Sequence, residues 1–124
     1  MRKRIELEYI FSSSVNVLFS RLSTPMGLAE WFADDVKYKD NTFIFMWDGV
    51  ASRAELVELK RNLSIKFRWE NADDDEYFEF FLRLEPLTSE LALIITDFVD
   101  EEEEEDTVKL WNKQIEMLHR TIGA

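Results

Sequence analysis

Few residues of this chain have the chemistry for proton transfer or nucleophilic attack. It contains no cysteine and one histidine, His119. No serine lies in a Gly-x-Ser-x-Gly context, and a lone histidine near a helix C-terminus is typical of a surface residue. Asp97 lies near the end of an apolar strand, where burial would raise its pKa, and Asp34 and Asp35 are further acid or base candidates. We interpret all three as hydrogen-bonded structural carboxylates and expect no catalytic residue.

An unbroken acidic run from Asp100 to Asp106 is the next candidate site. Loops that bind hard cations space their oxygen ligands and usually bend at a glycine, and neither this run nor residues 73–76 contains one. We therefore expect no metal and no cofactor. Negative charge beside the first turn of a helix stabilises that helix through its dipole. A basic protein partner docking on Asp100 to Asp106 is the functional alternative.

Large apolar side chains are the strongest functional candidates. In one interpretation they line a pocket for a small apolar ligand, since such pockets are mostly apolar and aromatic. In the other they fill the core, each stabilising the fold by roughly 1.5–3 kcal/mol. The candidate cavity lining consists of Trp31, Phe32, Phe45, Trp47, Phe67, Trp69, Phe80, Leu82, Ile95, Trp111, Ile115 and Leu118.

A long helix is predicted at the end of the chain, over residues 107–122. Apolar residues there recur at spacings of three and four, which places them on one helical face. They are Val108, Trp111, Ile115, Leu118 and Ile122. A strand-rich chain needs an element to cover one face of its sheet, and this helix is the only long candidate.

Most of the remaining chain alternates apolar and polar residues, as half-buried strands do. A first strand at residues 5–11 is followed by two short helices, at 15–22 and 26–32, with Thr24 and Pro25 starting the second. Further strands are predicted at residues 36–38, 42–47, 51–59, 63–69, 78–84 and 91–98. The sequence predicts an α+β fold in which a curved, seven-stranded antiparallel sheet grips the terminal helix.

The bulk composition limits the functions open to the chain. Its 124 residues correspond to one domain, residues 1–124, with a real core. The net charge of -11 repels nucleic acid and anionic membrane surfaces. No apolar stretch approaches the roughly 20 residues of a membrane span. We expect a cytoplasmic, soluble protein, monomeric or homodimeric.

The stretch from Leu22 to Phe32 resembles the signature of START-like helix-grip (SRPBCC) domains of the Aha1-homology branch. A short helix ends there, a Thr-Pro pair starts the next, and Ala-x-Trp-Phe closes it. The element order and the terminal Trp111 and Gly123 are similar as well. Residues 29–35 and 95–98 look closest to small, uncharacterised START-like proteins of Bacteroidetes. The resemblance implies a cavity between sheet and terminal helix that holds apolar ligands, but it implies no single activity.

Three functional hypotheses remain at this point. The first is a non-enzymatic domain that binds a small apolar ligand between sheet and helix. The second is a protein-interaction or self-associating module, of the Aha1-like co-chaperone type, with a filled core. The third is a cyclase-like or hydrolase-like enzyme, for which no proton-transfer constellation can be assembled. The volume enclosed behind Trp111 distinguishes the first two.

Overall fold

The structure, a computed structural model, describes residues 1–123; the last residue of the predicted domain, Ala124, lies outside them. The helices are α1 (Val15–Ser23), α2 (Pro25–Leu28) and α3 (Glu104–Ile122). The strands are β1 (Arg2–Phe11), β2 (Asp35–Lys39), β3 (Thr42–Trp47), β4 (Val50–Lys60), β5 (Ser64–Trp69), β6 (Phe78–Leu84) and β7 (Leu91–Asp100).

All seven strands form one antiparallel sheet in the order β1-β7-β6-β5-β4-β3-β2. Each strand from β2 to β7 pairs with its neighbour in sequence, and β1 pairs with β7 over its whole length, Arg2 opposite Asp100 through Phe11 opposite Leu91. The inner face of the sheet carries the alternating apolar residues, and α3 covers it. The predicted α+β helix-grip architecture is confirmed.

Helix α3 begins at Glu104, not at Thr107 as the sequence predicted, and a 3-10 turn at Glu101–Glu103 precedes it. All of the acidic run except Asp100, the last residue of β7, is therefore helical. Glutamate is a good helix former, and negative charge in a first turn is favourable to the helix dipole. The predicted stripe is buried at Trp111, Ile115 and Leu118. Gly123 ends the helix with φ 80°, a left-handed conformation that suits glycine.

The second short helix is shorter than the predicted 26–32. Thr24 caps it and Pro25 is its first residue, as predicted, but it ends at Leu28. The N–H groups of Trp31, Phe32 and Ala33 all point at the Leu28 carbonyl, at 3.4, 2.9 and 3.3 Å, so the regular helical ladder ends there in turns. Trp31 and Phe32, which belong to these turns, are both buried in the core.

The Asp48-Gly49 hairpin turn between β3 and β4 is confirmed, with φ of 50° and 78° at its two residues. Among residues 1–123, no helix is long and apolar enough to cross a membrane.

Candidate functional site

The interior between sheet and α3 is filled with aromatic rings. Phe45, Phe67 and Phe80 have no exposed surface, and Trp111 is 6% exposed. The Trp111 ring lies 5.7 Å from Phe32 and 5.9 Å from Phe80, centroid to centroid. The first contact is stacked and the second is edge-to-face, and such contacts add to the stability gained from burial. Side chains, rather than an open chamber, therefore occupy the space behind Trp111.

The structure brings the predicted lining residues together in this interior. All of them except Trp47 and Trp69 belong to the buried apolar cluster, and those two are partly buried and pack against it. Their membership of one cluster follows from the alternation of the strands and the stripe on α3. Whether any of them contacts a ligand stays a prediction.

An open cleft of about 630 Å³ lies between the segment after α2 and the side of α3. We call it the mouth cleft. The aromatic residues lining it are Trp31, Phe32 and Trp47, and the α3 residues are Leu110, Lys113, Gln114 and Met117. Leu110 and Met117 are 57% and 42% exposed. Three predicted lining residues thus border the mouth cleft, where Trp31 and Phe32 are buried and Trp47 is partly exposed.

The backbone carbonyl of Phe32 fixes the geometry of the mouth cleft. It accepts hydrogen bonds from Trp47 Nε1 at 2.9 Å and from Gln114 Nε2 at 3.0 Å. These bonds join the segment after α2 to both β3 and α3. A second indole nearby, that of Trp31, donates to the Arg21 carbonyl at 2.8 Å. The walls of the cleft are therefore held by hydrogen bonds as well as by packing.

None of the α3 residues of the mouth cleft was predicted from the sequence, and they include Leu110, Lys113, Gln114 and Met117. Leu110, Gln114 and Met117 are spaced four and three apart, so they share one face of α3. That face flanks the predicted stripe. The available signal was the presence of two large apolar residues, Leu110 and Met117, outside the stripe that packs on the sheet.

Asp97 lies on the inner face of β7, directly beneath α3. Its Oδ2 accepts a hydrogen bond from Trp111 Nε1 at 3.0 Å, and its Oδ1 accepts one from the Phe98 N–H at 2.8 Å. Burial raises the pKa of the Asp97 carboxyl, while the Trp111 and Phe98 hydrogen bonds oppose that rise. The predicted strand-end carboxylate is therefore a partly buried structural acceptor.

A smaller pocket of about 310 Å³ opens beside Asp97, under the loop that follows β5. Arg2 binds Glu76 there through Nε at 3.0 Å and Nη2 at 2.6 Å. The Arg2 hydrogen bond lowers the pKa of the Glu76 carboxyl. Arg2 also lowers the pKa of Asp97, whereas Glu76 raises it. Because the Arg2 guanidinium is already paired with the Glu76 carboxylate, the ion pair holds the walls of this pocket together and does not leave Arg2 as a free cation for a ligand.

The remaining candidate residues occupy structural positions. Asp34 Oδ2 accepts the Asp48 N–H at 2.9 Å, and Asp35 Oδ1 accepts the Val36 N–H at 2.9 Å. His119, predicted to be a surface residue, is instead partly buried and stacks on Phe11 with ring centroids 4.0 Å apart. The helix places it beside Leu118, at the edge of the stripe, where β1 reaches it.

The acidic run from Asp100 to Asp106 spans the end of β7, the 3-10 turn and the first residues of α3. Basic side chains of β1 lie against it. Lys3 Nζ is 2.9 Å from Glu104 Oε1, and Arg2 Nη1 is 3.8 Å from Asp100 Oδ2. Within residues 1–123, no group of three or more His, Cys, Asp or Glu side chains is arranged to hold a metal ion. Docking of a basic partner on this run stays a prediction.

Comparison with known families agrees with this architecture. The profile described as START-like superfamily domain matches residues 1–124. The chain belongs to the START-like superfamily. Members of this superfamily thus include a chain in which aromatic side chains fill the space between sheet and helix. A search of curated proteins finds no match.

Several solved structures are similar to this START-like domain. A Bacteroides fragilis protein, solved by solution NMR, is 36% identical, with a TM-score of 0.69 over 97% of this chain and 90% of its own. The Aha1 dimer from Colwellia psychrerythraea is 15% identical, with a TM-score of 0.75 over 94% of each chain. DynU16, a putative protein of the dynemicin biosynthetic locus, is 14% identical, with a TM-score of 0.82 over 98% of this chain and 47% of its own. The last two likenesses are likenesses of fold.

Proposed function

We propose that this START-like domain is a non-enzymatic binding domain and that its small apolar ligand occupies the mouth cleft. The observation that carries this proposal is the cleft itself, about 630 Å³ between the segment after α2 and α3. Its volume is within the range of small-molecule sites, roughly 300–1,000 Å³. The filled interior behind Trp111 supports a site at the mouth rather than a closed chamber.

The cleft combines apolar walls with three charged lining residues, Glu30, Asp34 and Lys113, which favours a flat, mainly apolar ligand that carries a small polar group. Trp47 is partly buried and presents an aromatic surface, while Leu110 and Met117 offer exposed apolar side chains on the opposite wall. Methionine adapts its shape to irregular partners. Since the Phe32 carbonyl already accepts two hydrogen bonds, the ligand gains its binding energy mainly from apolar contact.

A fluorescence titration with 2-naphthol tests this proposal. Met117→Glu places a charge in the apolar wall and should weaken binding about tenfold or more, since each 1.4 kcal/mol is a factor of ten. Leu87→Glu is the matched control, because Leu87 is 98% exposed and does not line the cleft. Saturable binding lost only in Met117→Glu supports the proposal. Equal binding by both variants, or no saturable binding, contradicts it.

A second candidate function is protein interaction, and the filled interior favours it. The apolar side chains of Leu110 and Met117 can also receive an apolar side chain of a partner. Native mass spectrometry of the purified protein separates the two candidates. A co-purifying small molecule supports ligand binding, whereas a complex with another chain that Met117→Glu abolishes supports protein interaction at the cleft.

A further inference from the structure

Strand β1 forms one end of the sheet and pairs along a single edge, with β7. Within residues 1–123, the only backbone hydrogen bond next to β1 outside that ladder is from the Glu101 N–H to the Met1 carbonyl, at 3.0 Å. Helix α3 contacts the inner face of β1, where the Tyr9 hydroxyl lies 2.7 Å from Asn112 Oδ1. The other edge of this ten-residue strand therefore presents unpaired N–H and C=O groups.

The outer face of β1 has an uneven charge pattern. Its first half carries Arg2 and Arg4, and its second half carries Glu6 and Glu8, all four exposed. Charged residues on an edge strand normally prevent association with other strands. A strand that is basic in one half and acidic in the other discriminates between pairing directions with a second copy. Antiparallel pairing brings opposite charges together, whereas parallel pairing in register brings like charges together.

We propose that the free edge of β1 pairs with β1 of a second copy of this chain, in an antiparallel register that sets Arg4 opposite Glu6 and Arg2 opposite Glu8. In this register Ile5 lies on the two-fold axis. The symmetry repeats both oppositions, so opposite charges face each other at four positions, and the two Arg4–Glu6 oppositions can close into ion pairs while Arg2 stays bound to Glu76. Opposed residues have the same parity, so their side chains lie on the same face, as antiparallel pairing requires.

Neighbouring registers shifted by two residues are disfavoured, because each keeps only two opposite-charge oppositions and adds one between like charges. A shift of two residues in one direction sets Glu6 opposite Glu6 of the second copy. The opposite shift sets Arg4 opposite Arg4 of the second copy. Parallel pairing in register brings every charge against its own kind. Like charges directly opposite each other destabilise a strand pair, so the pattern favours the antiparallel direction and, among these registers, the one centred on Ile5.

The charges of β1 already have partners within the chain. Arg2 is held by Glu76 through Nε and Nη2, at 3.0 and 2.6 Å, so it acts on Glu8 of the second copy as a neighbouring charge, whereas Arg4 and Glu6 are free to exchange partners. Arg4 Nη2 is 3.2 Å from Glu6 Oε2, and Arg83 Nη2 is 3.2 Å from Glu8 Oε1. The side chains of these pairs are about half exposed, and exposed ion pairs contribute little to stability. Exchanging the Arg4–Glu6 pair for one across the junction therefore costs little. The junction also joins the two sheets into one through backbone hydrogen bonds.

Charge-reversal variants test this register through the oligomeric state. Size-exclusion chromatography with light scattering, from micromolar to millimolar protein, should show a dimer of the wild-type chain. Arg4→Glu and Glu6→Arg should each raise the dimer dissociation constant about tenfold or more, because each converts two attractive pairs into repulsive ones. Arg61→Glu, at the exposed β4–β5 turn, has the same charge change as Arg4→Glu and should not alter the dimer.

Mixing the two variants is the sharpest part of the test. An equimolar mixture of Arg4→Glu and Glu6→Arg chains restores all opposite-charge pairs and should form a heterodimer. The double variant, with both changes in one chain, should form its own homodimer for the same reason. Circular dichroism confirms that each variant is folded. A wild-type chain that stays monomeric at millimolar concentration overturns the proposal, as does a dimer that ignores Arg4→Glu or a mixture that stays monomeric.

Discussion

Trp111 and Asp97 join the terminal helix to the sheet through one hydrogen bond, from the indole N–H to Oδ2 at 3.0 Å. The bond lies beneath α3, where the Trp111 ring packs on Phe32 and Phe80. A buried indole N–H without a partner would cost about 1–3 kcal/mol. Asp97 therefore allows the largest side chain of the apolar stripe to be buried.

Truncating Trp111 should destabilise the fold strongly. Trp111→Ala removes ring packing and leaves a cavity, so we expect the free energy of unfolding to fall by about 3–5 kcal/mol. Trp111→Phe keeps most of the ring and loses the hydrogen bond, so the expected loss is smaller. Urea denaturation measures both changes. A loss under about 1.5 kcal/mol for Trp111→Ala would show that the interior around this ring is not closely packed.

Asp97 should make stability depend on pH in an unusual direction. Since burial raises its pKa in the folded protein above the ordinary value of 3.8, the folded state holds this proton more tightly than the unfolded state. Its contribution is fully present below pH 3.8 and is lost as pH rises through the folded-state pKa. Asp97→Asn removes this dependence, so the stability of the variant relative to wild type should increase as pH rises.

Glu76 provides a comparison of opposite sign. The Arg2 hydrogen bond lowers its pKa below the ordinary 4.5, so its contribution is present above pH 4.5 and is lost as pH falls through the folded-state pKa. The stability of Glu76→Gln relative to wild type should therefore decrease as pH rises. Urea denaturation at several acidic pH values measures how the free energy of unfolding of each variant, relative to wild type, changes with pH. Slopes of the same sign for the two variants would contradict the assigned environments.

The close contact between α1 and α2 should tolerate no side chain at Gly27. A Cβ there would lie 2.1 Å from the Ser20 carbonyl oxygen and 2.7 Å from the Arg21 Cα, both of which are backbone atoms. Gly27→Ala should therefore destabilise by about 1–3 kcal/mol or more. Gly49→Ala is the comparison, because Gly49 has open space but a φ of +78°, so it suffers backbone strain without a clash. Thermal unfolding compares them; equal, small losses would mean that α1 separates from α2 at little cost.

The sequence predicted the sheet and the terminal helix because their periodicities are regular. Alternation in residues such as Ile65, Phe67 and Trp69 indicates a strand, and the stripe through Trp111 and Ile115 indicates a helix. The end of α2 at Leu28 was not predictable, since tertiary burial of Trp31 and Phe32 overrides a helical spacing that continues past it.

The candidate site was less predictable than the fold. The pattern identified which aromatic residues point inward, but pattern does not reveal whether rings in contact fill a space or surround one. That outcome depends on side-chain volumes packed in three dimensions. The mouth cleft likewise depends on where the segment after α2 passes α3, and Gln114 shows this. Its bond to the Phe32 carbonyl joins residues that are 82 positions apart.

Indole NMR resonances test the central claim, that apolar ligands bind in the mouth cleft and not behind Trp111. The four tryptophan N–H groups report on different places, with Trp47 lining the cleft and Trp111 bound to Asp97. During titration of the ¹⁵N-labelled protein with 2-naphthol, the Trp47 indole signal should shift progressively while that of Trp111 stays in place. A shift of the Trp111 signal with Trp47 unchanged would place the ligand in the interior and contradict the account.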